Sequence, residues 1–283
     1  MSELPIISMD GIADRLGRDE LPLSGITELG SAEFHILEPA HYVGVALHAG
    51  HRVRRDVLEQ MVVAEADRFR EEDPYTDHFI KDFPVRIIAL DSRFEYDLNR
   101  EEERSIYSSA RGIWGLDVWR LKVEGRMRED TLKKHREFYS LVDLIVEYLL
   151  EHFGKLLVYD MHSYCYQREK KQQWFEDPGP EINLGTVAVN RELFAPVIEP
   201  LIGLLGENEI DGHPVRVGEN EIFPGGYLSR RLSRAYFDSV LVLALEYKKL
   251  FMDEWTGEVY KDKLRKLIDN FKETVEIVNS LPF

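Results

Sequence analysis

Two apolar runs of strand length in this chain end in histidine. The run over residues 42–47 is followed directly by His48, and the run over residues 156–159 is followed by Asp160 and then His162. Buried strands of α/β enzymes carry polar side chains to the edge of their sheet, where ligands bind. Two strands that both finish in histidine therefore predict a metal site at such an edge.

The same pattern predicts strands that alternate with helices along the rest of the chain. Further short apolar runs predict strands at residues 33–37, 85–90, 181–190, 213–217 and 240–245. Apolar residues at helical spacing predict helices at residues 56–70, 128–152, 193–205 and 259–279. Residues 1–30 predict an irregular arm and residues 166–180 a loop over the site. This order predicts one α/β domain of three layers, with a mixed, largely parallel central sheet flanked by helices.

Composition and charge narrow the classes of function. The 283 residues are 44% hydrophobic and 31% charged, which is typical of a globular protein. No apolar run approaches the ~20 residues that cross a bilayer, and the first residues lack the pattern of a signal peptide. The net charge of −16 argues against nucleic acid as a partner. These features predict a cytoplasmic protein with no membrane partner.

The single cysteine, Cys165, excludes an internal disulfide framework and fits a reducing compartment. It lies just after the second histidine strand, so a catalytic thiol is one interpretation, and an ordinary buried cysteine is the commoner one. Arg52, Arg54 and Arg55 form a basic cluster near His51. In so acidic a chain this cluster predicts either a site for an anionic substrate or the solvated start of a helix.

Zinc in a catalytic site has three protein ligands and leaves a position for water. His48, His51 and His162 are the candidate ligands, because each follows or lies near the end of a strand. Asp160 precedes His162 by two residues, so it lies on the same face of the strand and can accept the second imidazole N–H. Asp77 is a further acid that either ligates the metal or supports a ligand.

Residues for substrate binding and proton transfer are also present. The segment over residues 91–100 contains Arg93, Asn99 and Arg100, which suit an anionic substrate group or a developing oxyanion. The alternative is a surface network of ion pairs. Glu246 closes an apolar run, where burial suits a carboxylate to act as a general base. Its alternative role is an ion pair with Lys248 or Lys249.

Taken in order along residues 42–255, these residues resemble the N-formylglutamate amidohydrolase family, a distant relative of zinc carboxypeptidases and of the aspartoacylase and succinylglutamate desuccinylase enzymes. The motifs that carry the resemblance are His48-Ala-Gly50, Thr76-Asp77, Arg93, Asp97-Leu-Asn99-Arg100, Asp160-Met-His162-Ser163, Asn220 to Phe223, Gly225-Gly226-Tyr227 and Leu245-Glu246 followed by residues 250–254.

The resemblance implies a zinc-carboxypeptidase-like fold and one Zn²⁺, with other divalent metals as alternatives. It implies hydrolysis of the amide bond of an N-acyl acidic amino acid, first of all N-formyl-L-glutamate, and therefore a small anionic substrate as the partner. It implies that His48 and His162 ligate the metal and that Glu246 is the general base. Asn99 and Arg100 would grip a substrate carboxylate, with Arg93 or Arg100 at the oxyanion. The oligomeric state is left open.

The remaining roles are less specific. Ser163 and Tyr227 are expected to contact the substrate. The wider superfamily commonly has glutamate where this chain has His51, so the third ligand stays open among His51, Asp77 and an acid not recognised in the sequence. Other expectations consistent with these motifs are a carboxypeptidase-like or other N-acyl amino acid hydrolase, and a non-catalytic anion-binding protein of the same fold.

Overall fold

A computed structural model describes residues 4–108, 115–167 and 172–282 of the chain. The chain divides into two compact units, Met1–Gly154 and Lys155–Phe283. No helix within the described ranges is both long and apolar enough to cross a membrane. The prediction of one domain over the whole chain stays a prediction.

The first unit contains a five-stranded arrangement of mixed direction. Its strands are β1 (Ile6–Ile7), β2 (Leu23–Thr27), β3 (Ala32–Ile36), β4 (Tyr42–Ala46) and β5 (Val85–Ala89). They are ordered β1-β2-β3-β5-β4. The β1–β2 and β4–β5 pairs are parallel, and β3 is antiparallel to both of its neighbours.

The helices of the first unit are α1 (Met9–Leu16), α2 (Arg55–Leu58), α3 (Glu65–Glu71) and α4 (Gly125–Phe153). Short 3-10 turns occur at Thr76–His78 and Glu102–Arg104. The long helix α4 ends at Gly154, which takes the left-handed conformation with φ of 72° that a residue without Cβ adopts readily. Its Glu137 accepts hydrogen bonds from the turn between β2 and β3 at Leu29 N and Ser31 Oγ, which ties the helix to the strands.

The second unit is built on two long buried strands. The strands are β6 (Leu156–Tyr164), β7 (Ile182–Gly185), β10 (Val217–Glu219) and β11 (Val240–Lys248), with a separate hairpin of β8 (Glu209–Ile210) and β9 (His213–Pro214). The order of the four is β6-β11-β7-β10. The β6–β11 and β7–β10 pairs are parallel, and β11–β7 is antiparallel. The helices are α5 (Ala195–Gly206), α6 (Tyr227–Ala235) and α7 (Lys261–Val278).

Every residue of β6 is buried, and every residue of β11 except Glu246. Strands covered on both faces read as continuous apolar runs, which is why both are visible in the sequence. The predicted α/β class with a mixed sheet flanked by helices is confirmed.

Several predicted boundaries need correction. The expected irregular arm over residues 1–30 contains β1, α1 and β2, although residues 1–3 lie outside the described part of the chain. Ser8 caps α1 by accepting a hydrogen bond from Gly11 N, and Ile12 and Leu16 bury its inner face. The predicted strands at 181–190 and 213–217 are shorter or broken, at Ile182–Gly185 and at His213–Pro214 with Val217–Glu219. Part of the predicted loop at 166–180, residues 168–171, lies outside the described residues.

The predicted single helix over residues 56–70 is also wrong. α2 ends at Leu58 and α3 begins at Glu65. Between them residues 59–60 form a turn and Met61 makes an antiparallel bridge with Trp119, with hydrogen bonds from Val62 N to Val118 O and from Arg120 N to Gln60 O. This pairing buries Met61 in an apolar cluster with Val57, Phe94, Tyr107 and Val118. Helix α6 was not predicted at all.

The polar ends of two strands lie within the strands rather than after them. β6 continues to Tyr164 and β11 to Lys248, because the two strands stay paired along their whole length. Asp160, His162 and Glu246 are therefore held by strand backbone on both sides. Such positions are more rigid than loop positions would be.

Candidate active site

His48 lies in the turn after β4, two residues beyond Ala46, and is almost completely buried, with 1% of its surface exposed. Its Nε2 lies 2.8 Å from Asp97 Oδ1, and its Nδ1 lies 3.2 Å from Asp73 Oδ2. Gly50 makes this turn possible, because a Cβ there would lie 2.4 Å from the backbone carbon of Leu90. The close approach sets the end of β4 against the segment that follows β5.

Asp97 is the centre of a buried hydrogen-bond network. Besides His48, its carboxylate accepts hydrogen bonds from Arg93 Nη2 at 3.1 Å, Arg100 Nε at 3.2 Å, Tyr107 OH at 2.7 Å and Asn99 N at 2.9 Å. Burial favours the neutral acid, yet the charge of Arg93 and the hydrogen bond with His48 hold the pKa of Asp97 well below its usual value. The carboxylate is therefore ionised and accepts from every neighbour.

Arg93 and Arg100 differ in how they are held. Arg93 donates through Nε to Tyr107 OH at 3.2 Å, through Nη1 to Glu71 O at 3.3 Å and through Nη2 to Asp97. Burial works against its charge, but Asp97 and then Tyr107 raise the pKa of Arg93 above its usual value. Arg100 is more exposed, and its guanidinium lies over the ring of Tyr107 at 4.8 Å from the centroid.

His51 has a carboxylate at each ring nitrogen. Its Nδ1 hydrogen-bonds Glu72 Oε2, and its Nε2 lies 3.2 Å from Glu65 Oε1. The hydrogen bond with Glu72 raises the pKa of His51, although partial burial lowers it. This setting favours the protonated ring, which has no lone pair for a metal. The ligand role of His51 stays a prediction.

Asp77 lies in the 3-10 turn after Tyr75, a residue held in the left-handed region at φ of 69°. Burial raises the pKa of Asp77, against the lowering effect of His78, whose Nε2 is 4.0 Å away. Its role at the metal stays a prediction. The backbone of Asp73, four residues earlier, is tied to His48 by a hydrogen bond from Asp73 N to His48 O at 3.0 Å.

The basic cluster that follows His51 is neutralised by acids of its own unit. Arg52 lies 3.4 Å from Asp91, Arg54 3.2 Å from Glu95, and Arg55 3.3 Å from Glu59. These pairs favour the structural interpretation of the cluster over an anion site.

In the second unit, Asp160 and His162 share one face of β6. Asp160 is fully buried, and its Oδ1 lies 3.0 Å from His162 Nε2. Glu246 stands opposite His162 in the parallel β6–β11 register and opposite Asn183 in the antiparallel β11–β7 register. Because facing residues of paired strands point to the same side, the carboxylate of Glu246 lies beside His162.

Asn183 fixes the loop next to Glu246. Its Oδ1 accepts from Ile222 N at 2.9 Å, and its Nδ2 donates to Phe223 O at 2.8 Å. Gly185 lets the same loop come close, since a Cβ there would lie 2.5 Å from Gly225 N. The loop leads into α6, whose first residue is Tyr227. Tyr227 thus begins an element that packs on β11.

Ser163 follows His162 in β6, so the alternation of the strand places it on the opposite face. Its predicted contact with substrate, like that of Tyr227, stays a prediction.

Lys248, one alternative partner of Glu246, makes its polar contacts with other residues. Its buried Nζ donates to Gly179 O at 2.6 Å and lies 3.0 Å from Glu181 Oε1.

Cys165 accepts a hydrogen bond from Lys249 Nζ at 3.5 Å.

Three residues of the site were not assigned a role from the sequence. Asp73 lies in a run of acids that looked like the end of a helix, and Asp97 was visible only as part of a motif. Tyr107 gave no signal, because it lies far from any strand end in sequence.

Comparison with known proteins adds the family. The model of a family described as N-formylglutamate amidohydrolase matches residues 41–252. No curated protein sequence matches the chain. Among solved structures, an N-formylglutamate amidohydrolase from Ralstonia eutropha JMP134 is similar with a TM-score of 0.68 and 19% identity, over 85% of this chain and 94% of that one. A gene product from Agrobacterium tumefaciens is similar with a TM-score of 0.61 and 14% identity, over 88% of this chain and 96% of that one.

Proposed function

Since this chain belongs to the N-formylglutamate amidohydrolase family, we propose that it hydrolyses the amide bond of N-acyl acidic amino acids, with N-formyl-L-glutamate as the first candidate substrate. The products would be glutamate and formate. The observation that carries the proposal is that each candidate ligand histidine has its Nε2 against a buried carboxylate. The pairs are His48 with Asp97 and His162 with Asp160.

We propose further that one divalent metal, Zn²⁺ first of all, is held by His48, Asp73 and His162, each of which is buried. Two imidazoles and a carboxylate are the ligands of one type of catalytic zinc site. Histidines that ligate a metal commonly donate their other N–H to a carboxylate, which fixes the tautomer, and the 2.8 Å hydrogen bond between His48 Nε2 and Asp97 has this form. The residues therefore fit such an ion, and Nδ1 would be the ligating atom of His48.

When bound, such a metal lowers the pKa of a water and polarises the scissile carbonyl. The carboxylate of Glu246 would accept a proton from the attacking water and then donate it to the leaving amine. Its place beside His162 in the strand register supports this role. Asn183, which holds the neighbouring loop, would limit the positions open to the substrate there.

Asn99 and Arg100 would bind a carboxylate of the substrate. An arginine suits a carboxylate because its guanidinium can donate two parallel hydrogen bonds. The preference for a small anionic substrate in a protein with a net charge of −16 requires such local positive charge. Arg93, whose three nitrogens all donate to groups of the protein, would act through Asp97.

The test is hydrolysis by the purified protein after removal of metal and again after addition of Zn²⁺. N-formyl-L-glutamate, other N-acyl amino acids and carboxyl-terminal peptides form the panel, with formate and amine detected separately. Metal-dependent release of formate from N-formyl-L-glutamate supports the proposal. Turnover of another class alone moves the substrate assignment to that class, and binding without any turnover shows a non-catalytic anion-binding protein.

A further inference from the structure

Tyr107 contacts Arg93, Asp97 and the candidate substrate-binding residue Arg100. It is buried, and its hydroxyl donates to Asp97 Oδ2 at 2.7 Å. The hydroxyl oxygen of Tyr107 also accepts a hydrogen bond from Arg93 Nε at 3.2 Å. Burial raises the pKa of Tyr107 far above its usual value, against the lowering effect of Arg93. The phenol therefore keeps its proton and acts as a donor to the ionised Asp97.

The ring of Tyr107 carries the guanidinium of Arg100. The guanidinium carbon lies 4.8 Å from the ring centroid, which is within the range of a cation–π contact. Arg100 is a long, partly exposed side chain that would otherwise populate several rotamers. Its Nε is also bonded to Asp97 at 3.2 Å. One edge and one face of the guanidinium are therefore held, each by a different residue.

Tyr107 is itself rigidly placed. Its carbonyl oxygen accepts a hydrogen bond from Trp119 Nε1 at 2.7 Å. Its ring packs edge-on against Phe94 with centroids 5.8 Å apart, inside the apolar cluster that also includes Val57, Met61 and Val118. Because the ring is packed in the core of the first unit, it provides a fixed surface beneath the guanidinium of Arg100.

We propose that Tyr107 is a positioning residue that orients Arg100 for a carboxylate of the substrate. The proposal rests on the proposed function for the identity of that carboxylate. Arrangement of a binding group before the substrate arrives reduces the entropy lost on binding, so its loss appears mainly in KM.

The chain offers a matched control in Tyr96. Tyr96 is also buried, and its hydroxyl donates to a buried carboxylate, Asp91 Oδ2, at the same 2.7 Å. That carboxylate pairs with Lys134 at 2.6 Å rather than with Arg93 or Arg100. Substitutions at Tyr96 therefore remove a similar buried phenol but leave the contacts of Tyr107 with Arg100 and Asp97 in place.

The experiment compares Tyr107→Leu, Tyr107→Phe, Tyr96→Leu and Tyr96→Phe in the full-length, zinc-loaded protein. For N-formyl-L-glutamate, Tyr107→Leu should raise KM about tenfold, which corresponds to about 1.4 kcal/mol, with a smaller change in kcat. Tyr107→Phe keeps the ring face and should raise KM about twofold. The two Tyr96 variants should leave KM within twofold of the wild-type value.

Substrate analogues separate positioning from a general loss of structure. Two analogues replace either the α- or the γ-carboxylate of N-formyl-L-glutamate by an amide. The effect of Tyr107→Leu should disappear for the analogue that lacks the carboxylate bound by Arg100, and persist for the other. An equal effect on both analogues, or an equal rise in KM for Tyr96→Leu, would overturn the proposal.

Failure of the proposed function gives a different result. If the wild-type protein hydrolyses no member of the panel, the proposed function is refuted, and calorimetric titration with L-glutamate then tests Tyr107 alone. Weaker binding by Tyr107→Leu and unchanged binding by Tyr96→Leu would support the positioning role. No binding by the wild-type protein, or equal binding by all variants, would overturn it.

Discussion

Replacement of Asp97 by asparagine removes one negative charge from a buried network and keeps its shape. The Oδ1 atom of asparagine can still accept from His48 Nε2 and Asn99 N, which lie at 2.8 and 2.9 Å in the wild-type protein. The new amide group at Oδ2, however, faces three donors, which are Arg93 Nη2, Arg100 Nε and Tyr107 OH. In the variant, the side-chain amide group therefore faces these three donors, and none of them has an acceptor at that position.

The loss of stability follows from which of these donors are buried. Arg100 is partly exposed and can bond water instead, so it contributes little. Tyr107 is buried and only 13% of the Arg93 side chain is exposed, so each loses a hydrogen bond to a charged acceptor worth about 1.5–3 kcal/mol. We therefore expect Asp97→Asn to lower the free energy of unfolding by about 3–5 kcal/mol, as when one partner of a buried ion pair is removed. We also expect zinc affinity to fall about 10- to 100-fold, because His48 loses its carboxylate partner.

Urea unfolding followed by circular dichroism measures the first quantity, and competition with a chelator of known affinity measures the second. Asp91→Asn is the control, since Asp91 is a buried carboxylate that accepts from Tyr96 and Lys134 and has no contact with His48 in the described structure. It should lower stability to a similar extent and leave zinc affinity unchanged. A loss below about 1 kcal/mol for Asp97→Asn, or equal zinc affinity in the two variants, would refute the reasoning.

Three further predictions follow from single residues. Glu246→Gln should bind zinc normally and lose at least about a hundredfold in kcat; normal turnover would remove Glu246 from the mechanism. Lys248→Met leaves Glu181 without its buried cation, so the free energy of unfolding should fall by about 3–5 kcal/mol and proteolysis near residue 179 should accelerate; an unchanged urea midpoint would contradict this. Arg191 and Thr186 lower the pKa of Glu219 against the effect of burial, so its stabilising contribution is present above the ordinary value of 4.5 and is lost as the pH falls through the lowered value. Glu219→Gln should therefore lose less stability than the wild-type protein on acidification below about pH 4.5, as urea midpoints at several pH values would show.

Elements whose apolar pattern is local were predictable. β4, β5, β6 and β11 are continuous or alternating apolar runs, and α4 and α7 have long apolar stripes, so each is visible in a short window of sequence. The helix over residues 56–70 failed for a non-local reason. Its middle residues pair with Val118 and Arg120, some sixty positions later, and no short window contains both partners.

The same division applies to the candidate site. His48, His162 and Glu246 are predicted from the sequence because each is a polar residue in or just after an apolar strand, and such residues are seldom fully buried without a partner. Asp73, Asp97 and Tyr107 come from irregular segments, and their significance lies in distances to His48 and Arg100 that only the fold creates.

Which strands combine an apolar run with polar side chains at its end can be read from the sequence alone, because both are properties of neighbouring residues. How those side chains are held depends on the folded structure. A hydrogen bond or a cation–π contact depends on angles and distances between segments tens of residues apart, and loop segments converge only when the core beneath them is packed. Asp97 and Tyr107 show this most directly, since their hydrogen bonds form only once the segment after β5 is folded against His48.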